Sequence, residues 1–210
     1  KHWQIKKPYN PFRKLLYLLN FGLRNNPNRS YFTTDIGHYL GCFGVHEESY
    51  KTLPNKKNVG FPFPEAKFEE KYECLIVHDN IYDRFAPAVY LKWIEVIIND
   101  ALGRGIAKFH QKFHPSQAEN TVKEIKSFME KVLEGKAVII TLDNSVALEQ
   151  IAVSQKPLVY VCLSSVGMYA YLVGCEVISI HRMCSKEDPF FRDLEKFYPS
   201  FYLENITYLT

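Results

Sequence analysis

Four short polar clusters in this sequence carry the residue types that bind anions or move protons. Each cluster follows a short apolar run, and the clusters are His78-Asp79 with Asp83, His114-Pro115, Asp143-Asn144-Ser145 and Ser164-Ser165. Apolar runs of this length are typical of buried parallel strands, and a ligand of such a sheet binds beyond the carboxyl ends of the strands. The spacing therefore predicts that the clusters lie together at one edge of a sheet.

His114 ends an apolar and basic run that begins at Lys108, and Pro115 follows it directly. The proline fixes the turn and disfavours helix at the histidine itself. An imidazole held in this way can donate to a phosphate oxygen and, when protonated, stabilise a departing phosphate or nucleotide. A lone histidine is more often structural, and the predicted position of His114 at the sheet edge, with Lys112 nearby, is what favours a functional role.

Ser164 and Ser165 follow the apolar run 158–163 and open a predicted helix. The first turn of a helix presents free backbone N–H groups and a partial positive charge, and two hydroxyls there would complete a phosphate site. Serine is also a favoured N-cap of any helix. Capping and phosphate binding use the same geometry, so both interpretations stay open.

Three carboxylates complete the candidate residues. Glu149 lies in an otherwise apolar helical segment, where a carboxylate needs a partner such as a ribose hydroxyl; exposure on the outer helix face is the alternative. Asp79 and Asp83 follow the first strand and could act as general base towards a sugar hydroxyl. Asp79 could equally cap the next helix.

The elements that would position these residues alternate between short apolar runs and amphipathic segments. The predicted strands are 74–77, 106–109, 137–141, 158–161 and 176–180. The predicted helices are 87–102, 116–133, 146–153 and 164–173, with another starting at Asp188-Pro189. This alternation predicts an α/β fold, with a Rossmann-like parallel sheet lobe at 71–210. Residues 1–70 are predicted to be irregular, with one helix near 11–21, and either cross between lobes or are the remnant of an acceptor lobe.

Composition excludes several classes of function. The net charge of +3 is too small to indicate nucleic-acid binding. Five widely spaced cysteines without a CxxC pair argue against a zinc site and indicate buried thiols in a reducing, cytoplasmic setting. No apolar run has the length of a membrane span. Dinucleotide, P-loop, zinc-protease and serine-hydrolase motifs are all absent from the sequence.

The first 30 residues combine basic and aromatic side chains. Seven Lys or Arg residues precede the first acidic residue, Asp35, and aromatic and leucine side chains lie between them. Residues 1–30 could therefore contact the inner membrane peripherally or receive an anionic glycolipid. A packed amphipathic helix with solvated lysines is the alternative. The chain begins at Lys1, and we expect it to be part of a longer protein.

The order of the motifs resembles that of the bacterial sialyltransferases. A strand running into His114-Pro115 is followed by a strand and Leu148-Glu149-Gln150-Ile151, and then by an apolar strand running into Ser164-Ser165. The similarity is to glycosyltransferase family 52, the lipooligosaccharide sialyltransferases, and to the related polysialyltransferases. It covers about residues 70–182, half of the chain.

This resemblance implies an inverting, metal-independent transferase of the two-lobe GT-B type that needs no cofactor. Its C-terminal lobe would bind the donor CMP-sialic acid, and a cell-surface glycan or glycolipid would accept the sugar. His114, beside Pro115, would contact the CMP phosphate and assist its departure. Ser164 and Ser165 would bind that phosphate, and Glu149 would hold the ribose.

The general base is where the sequence departs from these families. They usually carry an acidic pair followed by glycine, and in the nearest match here, around Asp35, that pair is broken. Asp35 substitutes for it, or the base is Asp79 or Asp83, and we favour the loop after the first strand. A chain of 210 residues is also short for two lobes. We therefore expect the acceptor lobe to be largely missing or to be completed by the partner in a homodimer.

Two other functions fit the same residues. A capsule transferase that uses CMP-Kdo would share the fold and the His-Pro turn. A non-catalytic α/β domain could bind nucleotides or anionic glycans through the same edge of the sheet.

Overall fold

The computed structural model describes residues 42–44, 56–60 and 63–210 of the chain. The chain divides into two units, residues 1–62 and Phe63–Thr210. In the first unit, strands β1 (Cys42–Gly44) and β2 (Lys56–Asn58) form a parallel pair. The predicted helix near 11–21, residues 1–30, for which membrane contact is one of two interpretations, and Asp35 lie outside the described residues.

A six-stranded sheet forms the centre of the second unit. Its strands are β3 (Cys74–His78), β4 (Lys108–Phe113), β5 (Val138–Thr141), β6 (Leu158–Val161), β7 (Val177–Ser179) and β8 (Thr207–Tyr208). All neighbours pair in parallel, in the spatial order β5-β4-β3-β6-β7-β8. The strand order therefore reverses between β3 and β6, as it does in Rossmann-like sheets. The prediction of an α/β fold with a parallel sheet is confirmed.

Helices connect the strands and cover the sheet. They are α1 (Pro87–Gly103), α2 (Glu119–Leu133), α3 (Leu148–Gln155), α4 (Ser165–Leu172), α5 (His181–Glu187), α6 (Pro189–Leu194) and α7 (Ser200–Leu203). Helix α1 packs against α2, and α3 packs against α4. Because crossovers between parallel strands are right-handed, the reversal of strand order places the first pair on one face and the second pair on the other.

The longest helix shows how the apolar pattern determines this packing. Pro87 occupies the first turn of α1, where its missing N–H costs nothing. The buried residues recur at helical spacing on one face and are Tyr90, Trp93, Ile94, Ile97, Ile98 and Ala101. Burying such side chains stabilises the fold by about 1.5 to 3 kcal/mol each.

Two predicted boundaries near the candidate residues were wrong. The second strand begins at Lys108 instead of residue 106 and continues to Phe113. The following helix begins at Glu119 instead of Ser116. Ser116 is not its cap, because its hydroxyl contacts Nδ1 of His114 at 2.7 Å. The loop that carries His114 is therefore longer than predicted. At Asp188, the predicted cap is confirmed, since its carboxylate accepts from the N–H of Phe190 at 2.9 Å.

The aromatic C-terminal segment packs back onto the core. Helices α5 and α6 lie beside α1, with Phe191 stacked on Phe85 at a centroid distance of 5.4 Å. The chain then reaches the other face, where Tyr202 of α7 is fully buried and lies 5.9 Å from the ring of Tyr171 in α4. Strand β8 finally joins the sheet beside β7. The sequence pattern did not predict helices α5 and α7 or strand β8.

Gly167 allows α4 to approach the sheet closely. A Cβ atom at this position would lie 2.9 Å from Cγ2 of Val161 and 2.5 Å from the hydroxyl of Tyr202. Val161 is buried in the central strand β6, so it has little room to move. Among the described residues, no helix combines the length and the apolar character needed to cross a bilayer.

We expect Gly167→Ala to lower the free energy of unfolding by about 1 to 3 kcal/mol, because the added methyl group overpacks the contact with β6. Gly103→Ala in α1 is the matched control, since nothing lies within 4 Å of a Cβ there. It should leave the stability unchanged or raise it by up to about 1 kcal/mol. Urea unfolding measures both, and equal effects of the two substitutions would contradict the close-packing argument.

Candidate functional site

The parallel sheet brings the polar clusters to the edge at which β3 to β7 end, which we call the carboxyl edge. The clusters follow four strands that are adjacent in the order β5-β4-β3-β6. Strands lie about 4.8 Å apart, so the ends of β4 and β6 are about 10 Å from each other. His114 and Ser164 therefore flank the end of β3, where the strand order reverses.

His114 lies on the surface, directly after β4. Its N–H donates to the carbonyl of His78 at 3.1 Å, which joins the ends of β4 and β3. Its Nδ1 accepts from the N–H of Ser116 at 3.2 Å. Because Nδ1 is an acceptor, the neutral ring carries its proton on Nε2. The amide of Asn80 donates to the Ser116 hydroxyl at 2.9 Å, so this arrangement reaches back to the loop after β3.

Asp79 points inward and contacts the loop after β6. Its Oδ2 accepts from the N–H of Cys162 at 3.0 Å. Desolvation of the carboxylate raises the pKa of Asp79 from 3.8 to about 6, and the neighbouring backbone N–H groups of Cys162 and Leu163 only partly oppose this increase. Keeping the Asp79 carboxylate charged therefore costs free energy. The carboxylate links β3 and β6, the two strands on either side of the reversal.

His78 belongs to a buried polar network beneath this edge. Its Nε2 lies 3.0 Å from Oε1 of Gln111, and its Nδ1 lies 3.3 Å from the hydroxyl of Tyr90. The Gln111 amide in turn donates to the Thr141 hydroxyl at 3.1 Å. Burial lowers the pKa of His78 to about 4, so its ring is neutral at physiological pH. The network ties β3, β4 and β5 together, and His78 is therefore a structural residue of the cluster.

Ser164 caps α4, in agreement with the capping interpretation of the sequence. Its hydroxyl accepts from the N–H of Gly167 at 3.3 Å. The side chain of Ser165 is exposed. Among the described residues, the structure gives no hydrogen-bond partner to the Ser165 hydroxyl or to the N–H groups of Ser165 and Val166. These three donors remain for a ligand at the carboxyl edge.

The loop after β5 is held by a lysine. The ammonium of Lys112 donates to the carbonyl of Asn144 at 3.2 Å and also to that of Val146. The Asp143 carboxylate accepts from the hydroxyl of Ser145 at 2.6 Å, and this bond lowers the pKa of Asp143. Glu149 lies in the first turn of α3, half-buried, with no hydrogen-bond or ion-pair partner among the described residues.

Asp83 lies in a 3-10 turn, Tyr82–Arg84, and is exposed. The adjacent Arg84 donates to Asp188 at 3.2 Å and covers the ring of Phe190 at 3.8 Å, so the turn is attached to α6. The other predicted base, Asp35, lies outside the described residues. Pro115 is exposed beside His114.

Two cavities of the second unit lie away from the candidate site residues. One, of about 360 Å³, is lined by residues 68–72 and Gln155, just before β3 and β6 begin. The other, of about 270 Å³, lies between α1 and α5. Within residues 42–44, 56–60 and 63–210, no cluster of three or more His, Cys, Asp or Glu could hold a metal ion. The four cysteines whose side chains are described are free and buried, as predicted.

Comparison of the chain with protein-family models and with curated proteins finds no match.

The raised pKa of Asp79 predicts a pH-dependent gain of stability in Asp79→Asn. The folded protein binds the Asp79 proton more tightly than the unfolded chain does, so the protonated carboxyl stabilises the fold. Its contribution to the free energy of unfolding is complete below pH 3.8 and is lost as the pH rises through about 6. The loss amounts to about 3 kcal/mol at neutral pH. The asparagine side chain carries no charge, so the stability of the variant relative to the wild type should increase between these pH values.

Urea unfolding of both proteins across this pH range measures the difference. The contribution of His78 to stability changes with pH in the opposite direction, because it is lost as the pH falls through about 4. Both proteins contain His78, so its contribution cancels when their stabilities are subtracted. Asp83→Asn removes an exposed carboxylate and is the matched control. The assignment is wrong if Asp79→Asn shows no greater gain with pH than this control.

Proposed function

We propose that the chain is the nucleotide-binding lobe of a sialyltransferase. It would move sialic acid from CMP-sialic acid to a hydroxyl of a cell-surface glycan, in lipooligosaccharide or capsule, with inversion and without a metal. The observation that carries the proposal is the reversal of strand order between β3 and β6, with His114 on one side and Ser164-Ser165 on the other. Ligands of doubly wound sheets bind at this place.

The CMP phosphate would bind at the start of α4. Within the part of the chain that the structure describes, the N–H groups of Ser165 and Val166 and the Ser165 hydroxyl have no partner and can donate. The partial positive charge of the helix start favours an anion. His114 would approach the phosphate from the other side with its Nε2–H. When protonated, it would stabilise the charge that develops on the departing phosphate.

Glu149 would bind the ribose. A half-buried carboxylate without a partner is costly, and two ribose hydroxyls would supply the missing hydrogen bonds. Its position in the first turn of α3 puts it after β5, on the same side of the reversal as His114. The nucleoside would then extend along the carboxyl edge from the phosphate site.

Asp83 is the best candidate among the described residues for the general base. The base must contact the acceptor hydroxyl and take its proton as the oxygen attacks the anomeric carbon. Asp79 is less suitable, because backbone N–H groups already occupy its carboxylate. Asp83 is exposed and has no hydrogen-bond or ion-pair partner among the described residues. Asp35 is the second candidate.

The remaining parts of the enzyme follow from the same proposal. A GT-B transferase needs an acceptor lobe, which residues 1–70 with a longer chain or the partner in a homodimer would provide. A lipid-linked acceptor would suit a cytoplasmic enzyme bound peripherally to the inner membrane through residues 1–30.

Calorimetric titration with CMP tests the phosphate site. The wild-type protein should bind CMP, and Ser165→Ala and Ser164→Ala should weaken binding about tenfold, since each removes a hydrogen bond to a charged group or the cap that orients it. Ser127→Ala, at an exposed position of α2, is the matched control and should bind as the wild type does. Absence of CMP binding by the wild type would refute the proposal.

Turnover assays with CMP-sialic acid and CMP-Kdo test the reaction and the donor. Asp83→Asn should lower kcat about 100-fold or more while CMP affinity stays unchanged, because a general base acts only on the acceptor. His114→Ala should lower kcat and also weaken CMP binding. Turnover with CMP-Kdo alone would favour the capsule transferase, and CMP binding without turnover of either donor would favour a binding module.

A further inference from the structure

The residues between β6 and α4, Cys162 to Ser165, form a short segment that we call the serine turn. Three backbone polar groups at its beginning have partners from elsewhere in the sequence. The N–H of Cys162 donates to the Asp79 carboxylate at 3.0 Å. The carbonyl of Cys162 accepts from the Ser179 hydroxyl, which lies at the end of the neighbouring strand β7.

The remaining group, the carbonyl of Leu163, accepts from the hydroxyl of Tyr198 at 3.0 Å. Tyr198 follows the 3-10 turn Glu195–Phe197, in the part of the chain between α6 and α7. This part connects the face of the sheet that carries α1 with the face that carries α4. It therefore passes the carboxyl edge next to the serine turn, and Tyr198 contacts the turn there.

We propose that Asp79 and Tyr198 are positioning residues, which together hold the serine turn in the conformation that presents Ser164 and Ser165 to the donor phosphate. This inference rests on the proposed function of that turn. Asp79 holds the N–H of Cys162 from the β3 side, and Tyr198 holds the carbonyl of Leu163 from the C-terminal segment. Neither group touches the phosphate.

The chemistry of both side chains suits this role. Burial, with a smaller contribution from the negative charge of Asp79, raises the pKa of Tyr198 to about 12, so its hydroxyl remains a donor at physiological pH. The hydrogen bond to Asp79 turns the N–H of Cys162 away from the ligand and partly compensates the carboxylate charge. The phosphate would then meet only the donors of the α4 start.

Tyr198→Phe tests the inference, because it removes one hydroxyl and keeps the ring. Tyr208→Phe is a close control: its hydroxyl donates to the carbonyl of Leu203 at 2.8 Å, in the same C-terminal segment. Both substitutions remove a tyrosine-to-carbonyl hydrogen bond of similar length. A purely structural role predicts similar falls in Tm and no difference in function.

We expect Tyr198→Phe alone to accelerate amide hydrogen exchange in residues 162–167 about tenfold and to raise the Kd for CMP about fivefold to tenfold. Unchanged exchange, unchanged CMP affinity despite faster exchange, or equal effects of Tyr208→Phe would each overturn the inference. If the wild type binds no CMP, the role of both residues in positioning a phosphate site fails with the proposed function. The exchange data would then still decide whether Tyr198 restrains the turn.

Discussion

The hydrogen bond from the N–H of Cys162 to the carboxylate of Asp79 holds the carboxyl edge together where the strand order reverses. On either side of the reversal, the connecting helices leave towards opposite faces, so neither helix covers the gap between the ends of β3 and β6. Sheet hydrogen bonds also stop there, because β3 and β6 pair only from Cys74 to Ile76 and from Leu158 to Tyr160. Beyond the last sheet hydrogen bond, the side chain of Asp79, directly after β3, accepts from the N–H of Cys162, directly after β6.

This arrangement leaves some backbone donors around the serine turn unused by the fold. The N–H of Cys162 donates to Asp79, and the N–H of Gly167 donates to the Ser164 hydroxyl. Among the described residues, the N–H groups of Ser165 and Val166 have no hydrogen-bond partner. The fold thus places its inward-facing charge on the side of the turn that faces the core, and leaves the uncompensated positive end of α4 facing the carboxyl edge.

The sequence was informative about the elements and much less so about contacts between them. Hydrophobic periodicity predicted the five longer strands and the helices that join them, because each buries a face with a regular repeat. It could not reveal β8, which has two residues, or α7, which has four, because neither is long enough to show a period. The position of α7 depends on aromatic packing against α4, and that of β8 depends on pairing with β7. Both are tertiary effects.

The candidate site shows the same limit at the level of single residues. Asp79 and Asp83 looked equivalent, as two acids after one strand. Asp79 is the one that accepts a backbone hydrogen bond, because β6 lies beside β3. The sequence does not show which strand pairs with β3 on that side. Tyr198 offered no signal at all, since its partner Leu163 is 35 residues away in a different element. The order of the sheet had to be known before either residue could be interpreted.

Gly167 connects the stability of the C-terminal segment with the geometry of the serine turn. Its Cα faces Val161 and the hydroxyl of Tyr202, and its N–H donates to the Ser164 hydroxyl. The distance between α4 and the sheet therefore depends on the same residue that orients Ser164. Because Tyr202 and Tyr198 belong to one short segment, the packing that buries Tyr202 also brings Tyr198 to the carbonyl of Leu163. The C-terminal segment in this way contacts the serine turn, although the two are 35 residues apart in sequence.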